Sequence, residues 1–281
     1  MTIDLHTHSH FSDGTKSPAE LVCLASISGV TALALTDHDT MAGVAEAMAV
    51  ADTYDVEVVP GVELSVVHKE HVLHILGYYV DPLQEDMAAA LAVLQKARDR
   101  RNEKIIVKLQ DLGIDATLEE LQTISGVGQT GRPHIARLLM DHGVVRSMPE
   151  AFDKYLAKDC KAYVGRFAYS AREAIAFIRA AGGLAVLAHP IQVDKTLSVL
   201  NSLLPLLKTY GLDGIETYYP SQKKKMQKRI RKFAETSDLI LTGGSDYHGD
   251  IRPGTRLAGG HNVYVPPELL EKMKERLAQK E

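Results

Sequence analysis

The chain has 281 residues, 45% of them hydrophobic and 24% charged, with a formal net charge of −4. A chain of this length can bury roughly three quarters of its unfolded surface, so it needs no disulfide or oligomeric support and a monomer is plausible. The slightly acidic balance argues against a binding face for duplex DNA or long RNA, and the lack of a leader-like N-terminus or a membrane-length apolar run leads us to expect a cytoplasmic protein that inserts in no membrane. Cys23 and Cys160 lie far apart and read as free thiols.

In chain order, the first signal is Ile3 and Leu5 alternating with Asp4, His6 and His8, the period-two pattern of a strand. A second apolar run, Thr31-Ala-Leu-Ala-Leu35, leads into Thr36-Asp37-His38-Asp39, and a third leads from Val56 through Pro60 and Gly61 to Glu63. Strand-like runs recur around His74, at Leu184-Ala-Val-Leu-Ala188 before His189, at Gly214-Ile-Glu-Thr217, and at Leu239-Ile-Leu241 before Asp246 and His248. Between most of them lie helices with start signals: Ser17-Pro-Ala-Glu20 and Ser170-Ala-Arg-Glu173 both read as capping boxes. Alternating strands and helices imply an α/β fold with a largely parallel sheet. Seven strands, with polar residues where strands end, point to a distorted or incomplete (β/α) barrel whose chemistry sits at its C-terminal mouth.

Residues 84–165 break the alternation. A long helix is expected over 84–112, with Met87, Leu91, Leu94, Ile105 and Leu109 near helical spacing and Gly113 placed to end it. Thr117-Leu-Glu-Glu120 opens a short helix, and Pro133 marks the first turn of another. We read this stretch as a helical insertion over the mouth, a lid that contacts substrate and excludes water; it divides the barrel into residues 1–83 and 166–281. Its loop Ser125-Gly-Val-Gly-Gln-Thr-Gly131 is expected to be the most flexible segment. The basic stretch from Ser221 to Phe233 carries an apolar stripe of Met226, Ile230 and Phe233, so it reads as a barrel helix with a solvated lysine face rather than an RNA tether.

His6, His8, Asp13, His38, Glu63, His74, His189, Asp246 and His248 all fall at or beside strands, and the fold should gather them at one point. A His-x-His pair alone means little, but nine such groups indicate a multinuclear metal centre. Imidazole with carboxylate suits Mn²⁺, Zn²⁺ or Fe²⁺, and a set without cysteine argues against a closed structural zinc site. His10, His68, His71, His142 and His261 fall outside the pattern and read as solvated. Asp4, Asp37 and Asp39 read as partners of the ligating histidines.

The motifs His6-Thr-His8, Ser12-Asp13-Gly14, Thr36-Asp37-His38-Asp39, Gly61-Val-Glu63, His74, Ala188-His189-Pro190 and Gly244-Ser-Asp246-Tyr-His248 resemble those of the PHP (polymerase and histidinol phosphatase) superfamily. The similarity is greatest to the stand-alone branch that includes a 3′,5′-nucleoside bisphosphate phosphatase and a 5′→3′ exoribonuclease. This resemblance implies a distorted (β/α)7 barrel, up to three divalent metals with Mn²⁺ first in order, and all nine residues as ligands. It also implies that Asp13, His38, Glu63 and His8 hold the metals that bridge an attacking hydroxide. Arg98 and Arg101, three apart on the long helix, and Arg132 with His134 at a helix start would grip substrate phosphate; the charge run around Arg98 would otherwise suggest a solvated face.

The implied function is a phosphoesterase that removes the 3′-phosphate of nucleoside 3′,5′-bisphosphates such as pAp, extending to 5′→3′ trimming of short RNA. One alternative is a phosphatase for another small phosphomonoester such as histidinol phosphate. Another is a non-catalytic PHP module, which the intact ligand set disfavours.

Overall fold

The computed structural model describes the whole chain except Glu70, Pro253, residues 259–262 and Glu281; the expectation for His261 therefore lies outside the described residues. Seven strands form one sheet in sequence order: β1 (Thr2–Thr7), β2 (Val30–Leu35), β3 (Glu57–His68), β4 (His71–Tyr78), β5 (Leu184–Leu187), β6 (Gly214–Tyr218) and β7 (Ile240–Gly243). The edge strands approach one another through a bridge between Thr7 and Tyr247, with the Asp246 amide donating to the His6 carbonyl at 2.8 Å. This is the distorted seven-stranded barrel expected, with one reversal. β4 runs antiparallel to both β3 and β5, because the first half of β3 pairs with β2 while its second half forms a hairpin with β4.

Eleven helices occur among the described residues. Those on the barrel are α1 (Pro18–Ile27), α2 (Val44–Tyr54), α7 (Ala171–Ala180), α8 (Pro190–Val193), α9 (Leu200–Thr209), α10 (Lys224–Ser237) and α11 (Glu268–Ala278). Ser17 and Ser170 close the capping boxes that start α1 and α7. Alternate residues of the strands divide between two cores: Leu33, Leu35, Ala185 and Leu187 pack under the outer helices, whereas Ala32, Ala34, Leu184 and Val186 face an inner cluster that Leu269, Leu270 and Met273 of α11 complete. In α10, Ile230 is buried and Met226 and Phe233 pack beside it, so its lysines lie on the other face, as expected. Both cysteines are free thiols; Cys23 lies in α1, whereas Cys160 lies in a turn rather than the helical setting expected. Among the described residues no helix is long and apolar enough to cross a membrane.

Between β4 and β5 the chain forms α3 (Glu85–Asp111), α4 (Leu118–Ser125), α5 (Arg132–Asp141) and the short α6 (Met148–Ala151). At 27 residues α3 is about 40 Å long. Its first half sends Met87, Leu91 and Leu94 into the barrel's outer core, and its second half sends Ile105, Ile106 and Leu109 into a separate core with α4 and α5. In the stretch between, Arg98, Arg101 and Asn102 are buried toward the barrel mouth, where Arg98 meets Asp39, while Asp99 and Arg100 are exposed.

The Ser125–Gly131 loop was expected to be flexible because of its glycines, but it is tied to the barrel. Gln129 donates from its backbone to the Phe11 carbonyl and from its side chain to the Asp39 carbonyl, both at 2.9 Å. Gly128 serves close approach here: a Cβ at this position would lie 1.8 Å from the His10 carbonyl oxygen. Gly128→Ala is expected to push the loop off the barrel and cost about 1–3 kcal/mol, the usual cost of overpacking. An unchanged urea midpoint would show that the loop is not held against His10.

Candidate metal centre and substrate cavity

Backbone pairing that continues past the strands positions the acidic and histidine side chains. Beyond β2 and within β3, His38 and Glu63 form a bridge in which Glu63 donates to the Asp37 carbonyl at 3.1 Å and Asp39 donates to the Glu63 carbonyl at 3.0 Å. The Thr7–Tyr247 bridge likewise brings Asp246 and His248 beside His6 and His8. His74 reaches the same point from the reversed strand: β4 starts at the mouth, so a residue early in β4 lies level with residues late in β3, and His74 pairs with Ser65 in the ladder. Two of these backbones have positive φ, +21° at His189 and +53° at Asp246. Gly244 has no room for a side chain, since a Cβ would lie 2.4 Å from the His6 backbone nitrogen.

All nine expected residues come together. Glu63 is the centre: its Oε1 accepts from His74 at 2.8 Å and from His189 at 2.9 Å, and its Oε2 lies 3.0 Å from His38, 3.3 Å from His8 and 3.4 Å from His6. The residues fall into four overlapping groups whose ligand atoms lie within 4.8 Å of one another: His8, Asp13, His38 and His248; His6, Glu63 and His189; His6, His8 and Asp246; and His38, Glu63 and His74.

The donor atoms fit a cation. Nε2 of His6, both ring nitrogens of His8, Nδ1 of His38, Nδ1 of His189, Nε2 of His248 and Oε2 of Glu63 are buried without a hydrogen-bond partner among the described residues. Buried polar atoms are rarely left so, and a metal ion is one way of satisfying them. The electrostatics agree. Burial opposes ionisation of Asp13, Glu63 and Asp246, yet the surrounding histidines, with Arg252 at Asp246, hold all three well below the usual carboxylate range. Burial also opposes charge on His38, but Glu63 and Asp13 outweigh it and raise the imidazole to about 9. Burial, His248 and His38 press His8 down to about 3, leaving it neutral as a metal ligand must be. The field that keeps a proton on His38 also attracts a divalent cation.

The residues that support this cluster differ from those expected. None of Asp4, Asp37 or Asp39 directs its hydrogen bonds to a ligating imidazole. Asp4 accepts from the backbone amides of Ser245 and Ala258, each at 2.8 Å, and from the backbone amide rather than the ring of His6 at 3.3 Å; burial raises its carboxyl to about 6. Asp37 binds the Ser9 backbone and the Ser9 and Ser12 hydroxyls, which shapes the turn carrying Asp13. Glu216 is the supporting carboxylate instead: one oxygen lies 3.0 Å from Nδ1 of His6 and the other accepts from the His189 backbone at 2.6 Å. Asp246 is held by the Tyr219 hydroxyl at 2.9 Å and by Arg252 at 2.5 Å. Glu216 had a sequence signal, as the single acid within an apolar strand run; Tyr219 and Arg252 had none.

Beside the cluster, under α3, four guanidinium groups converge. Arg98 and Arg101 are buried, which rules out the solvated face. Asp39 pairs with Arg98 and, at 3.1 Å, with Arg166, which lies in the irregular segment before α7 and belongs to no motif. Arg101 donates only to its neighbour Asn102, at 2.7 and 3.2 Å, and Arg132 to the Leu156 carbonyl at 3.2 Å. Among the described residues these arginines form ion pairs with Asp39 alone, so the group carries excess positive charge; burial and mutual repulsion hold Arg101 well below the usual guanidinium range. Arg101, Arg132 and Arg166 line a cavity of about 170 Å³ together with His74 and Ser65. His134 is buried on α5, accepts the Gly131 amide at 2.9 Å, and lines a neighbouring cavity instead. Of the remaining histidines, His10 is half-buried and His142 sits 3.0 Å from Glu120.

Asp39→Asn should leave Arg98 and Arg166 without a counter-charge and lower stability by about 3–5 kcal/mol. Metal bound per chain should not change. Loss of metal at unaltered stability would instead make Asp39 a partner of the metal-site histidines.

The PHP domain family matches residues 4–118. The chain is 36% identical over 245 residues to a 5′-3′ exoribonuclease of Haemophilus influenzae, covering 87% of this chain and 89% of that protein. The chain belongs to the PHP family. Another PHP relative, a 3′,5′-nucleoside bisphosphate phosphatase of Chromobacterium violaceum, is 33% identical over 94% of this chain and 93% of its own length. The solved structure of a Bifidobacterium adolescentis protein assigned as a metal-dependent phosphoesterase superposes with a TM-score of 0.88 at 30% identity, covering 97% of this chain and 95% of that one. This PHP protein is thus a metal-dependent phosphoester hydrolase.

Proposed function

We propose that the enzyme hydrolyses the 3′-phosphate of nucleoside 3′,5′-bisphosphates, with 5′→3′ trimming of short 5′-phosphorylated RNA as the same reaction on a longer substrate. The observation that carries this reading is the cavity in which His74, from the metal cluster, stands beside Arg101, Arg132 and Arg166. Among the described residues Arg101 and Arg132 have no carboxylate partner, and Arg166 shares Asp39 with Arg98, so the group's excess positive charge suits a second anion. A substrate with one phosphate, such as histidinol phosphate, would leave either that group or the metal cluster unused.

The nine histidine and acidic residues would hold up to three divalent cations; imidazoles and carboxylates without cysteine suit Mn²⁺, Zn²⁺ or Fe²⁺, and the family resemblance puts Mn²⁺ first. Such cations, when bound, neutralise non-bridging phosphate oxygens and lower the pKa of water. Glu63, Asp13 and Asp246 supply the negative charge that balances them, and Glu216 orients His6. Arg101, Arg132 and Arg166 fix the 5′-phosphate, so the 3′-phosphate lies over the cluster. Helices α3 to α5 keep bulk water from both anions.

The test is phosphate release from pAp by protein dialysed against chelator and then supplied with Mn²⁺. Activity should vanish on dialysis, return with the metal, and exceed that on 3′-AMP or histidinol phosphate in kcat/KM. Equal rates on pAp and 3′-AMP would end the two-anion reading.

A further inference from the structure

A second cavity, of about 470 Å³, adjoins the loop that carries Asp13. Its barrel wall is His10, Gly14 and Thr15, from the loop that carries Asp13, and its lid wall is Val127, His134 and Arg137. The arginine cavity borders the β3–β4 side through Ser65 and His74. One cavity is thus lined by His74 of the cluster, and the other by Gly14 and Thr15, which follow Asp13 in the chain. α5 spans both, contributing Arg132 to the first and His134 and Arg137 to the second.

The volume falls within the range of small-ligand cavities, about 300–1,000 Å³, and a 3′-phosphate monoester with its 5′-phosphate among the arginines leaves it unused. Val127 is a further sign. This aliphatic side chain is 76% exposed beside the cavity. Its loop is fixed to the barrel through Gly128 and Gln129. An apolar group displayed on a fixed backbone suits the face of a base, and Arg137 on the rim, whose exposed pair with Asp141 at 2.9 Å is of the weak kind, suits a phosphate beyond it.

Resting on the function proposed above, we infer that this cavity binds the nucleotide on the 3′ side of the scissile phosphate in a short 5′-phosphorylated RNA. The chemistry matches that on pAp. Water adds to phosphorus, the bond from phosphorus to O3′ of the first nucleotide breaks, and O3′ takes up a proton. The one difference is that the phosphate's second ester oxygen, O5′ of the next nucleotide, stays attached as a spectator and needs space. The products are a 5′-mononucleotide and an RNA one residue shorter that again carries a 5′-phosphate, the group the arginines hold.

The experiment compares kcat/KM for pAp and for the 5′-phosphorylated dinucleotide pApA in the Mn²⁺-loaded full chain, its Val127→Trp variant and its Arg137→Ala variant. Val127 is exposed, so tryptophan there should fill the cavity without disturbing the fold. Val127→Trp should lower the pApA to pAp ratio at least tenfold; Arg137→Ala should lower the ratio of a 5′-phosphorylated pentamer to pAp by a smaller factor. An unaltered ratio in Val127→Trp, or no wild-type turnover of pApA alongside good turnover of pAp, overturns the inference. Failure on pAp itself would instead count against the bisphosphate reading, since the ratio with pApA is a separate readout.

Discussion

Glu63→Gln is expected to reduce phosphate release by about 10³-fold or more, beyond the upper end of what loss of one charge-stabilising group costs. The substitution keeps the shape of the side chain and removes its charge. Five histidine rings lie within 3.4 Å of this one carboxylate, more than any other residue of the cluster gathers. Two of the four candidate metal groups share it, so its neutralisation should weaken cation binding across the cluster rather than at one position. Bound metal per chain, measured after gel filtration in limiting Mn²⁺, should fall together with activity. Wild-type metal content combined with wild-type kcat would remove Glu63 from the centre.

Arg101→Ala should act on the other anion. A hydrogen bond to a charged group contributes about 1.5–3 kcal/mol, or roughly 10- to 150-fold in kcat/KM. The loss should fall on pAp and be absent for 3′-AMP, which lacks the 5′-phosphate. Arg101 is the variant of choice because Arg98 and Arg166 are both paired with Asp39, and their removal would unbalance that carboxylate. An equal loss on both substrates would mean that Arg101 supports the cluster rather than a second phosphate.

The barrel was legible in the sequence wherever apolar runs ended in a polar motif. Apolar runs and capping boxes are local signals; the runs located every strand, and the boxes the starts of α1, α4 and α7. The reversal of β4 was not legible, because a strand's direction depends on its neighbours and His74 reads the same either way. That the nine residues would gather was legible for a chemical reason: histidine and carboxylate at strand ends have few other uses in such number. The supporting layer was less so. Asp4, Asp37 and Asp39 stand beside ligands in sequence, yet their carboxylates turn to loop amides, hydroxyls and arginines, while the carboxylate that orients His6 comes from β6, 210 positions away. Arg166 comes from a segment without periodicity and meets Arg98 only because Asp39 draws both.

Because α3 is one unbroken helix, rooted in the barrel core at one end and in the lid core at the other, it works as a gauge. On the two-anion reading proposed above, helical register would set where Arg101 stands relative to the metal cluster, and with it the separation of anions that a substrate can present. One residue inserted between Leu94 and Arg98 would turn the arginines by about 100° and raise them by about 1.5 Å, which takes them off the mouth rather than slightly along it. Substrate length in this architecture should therefore change in steps of whole helical turns, and a relative that accepts a longer spacing between charges should carry three or four more residues in this helix, not one.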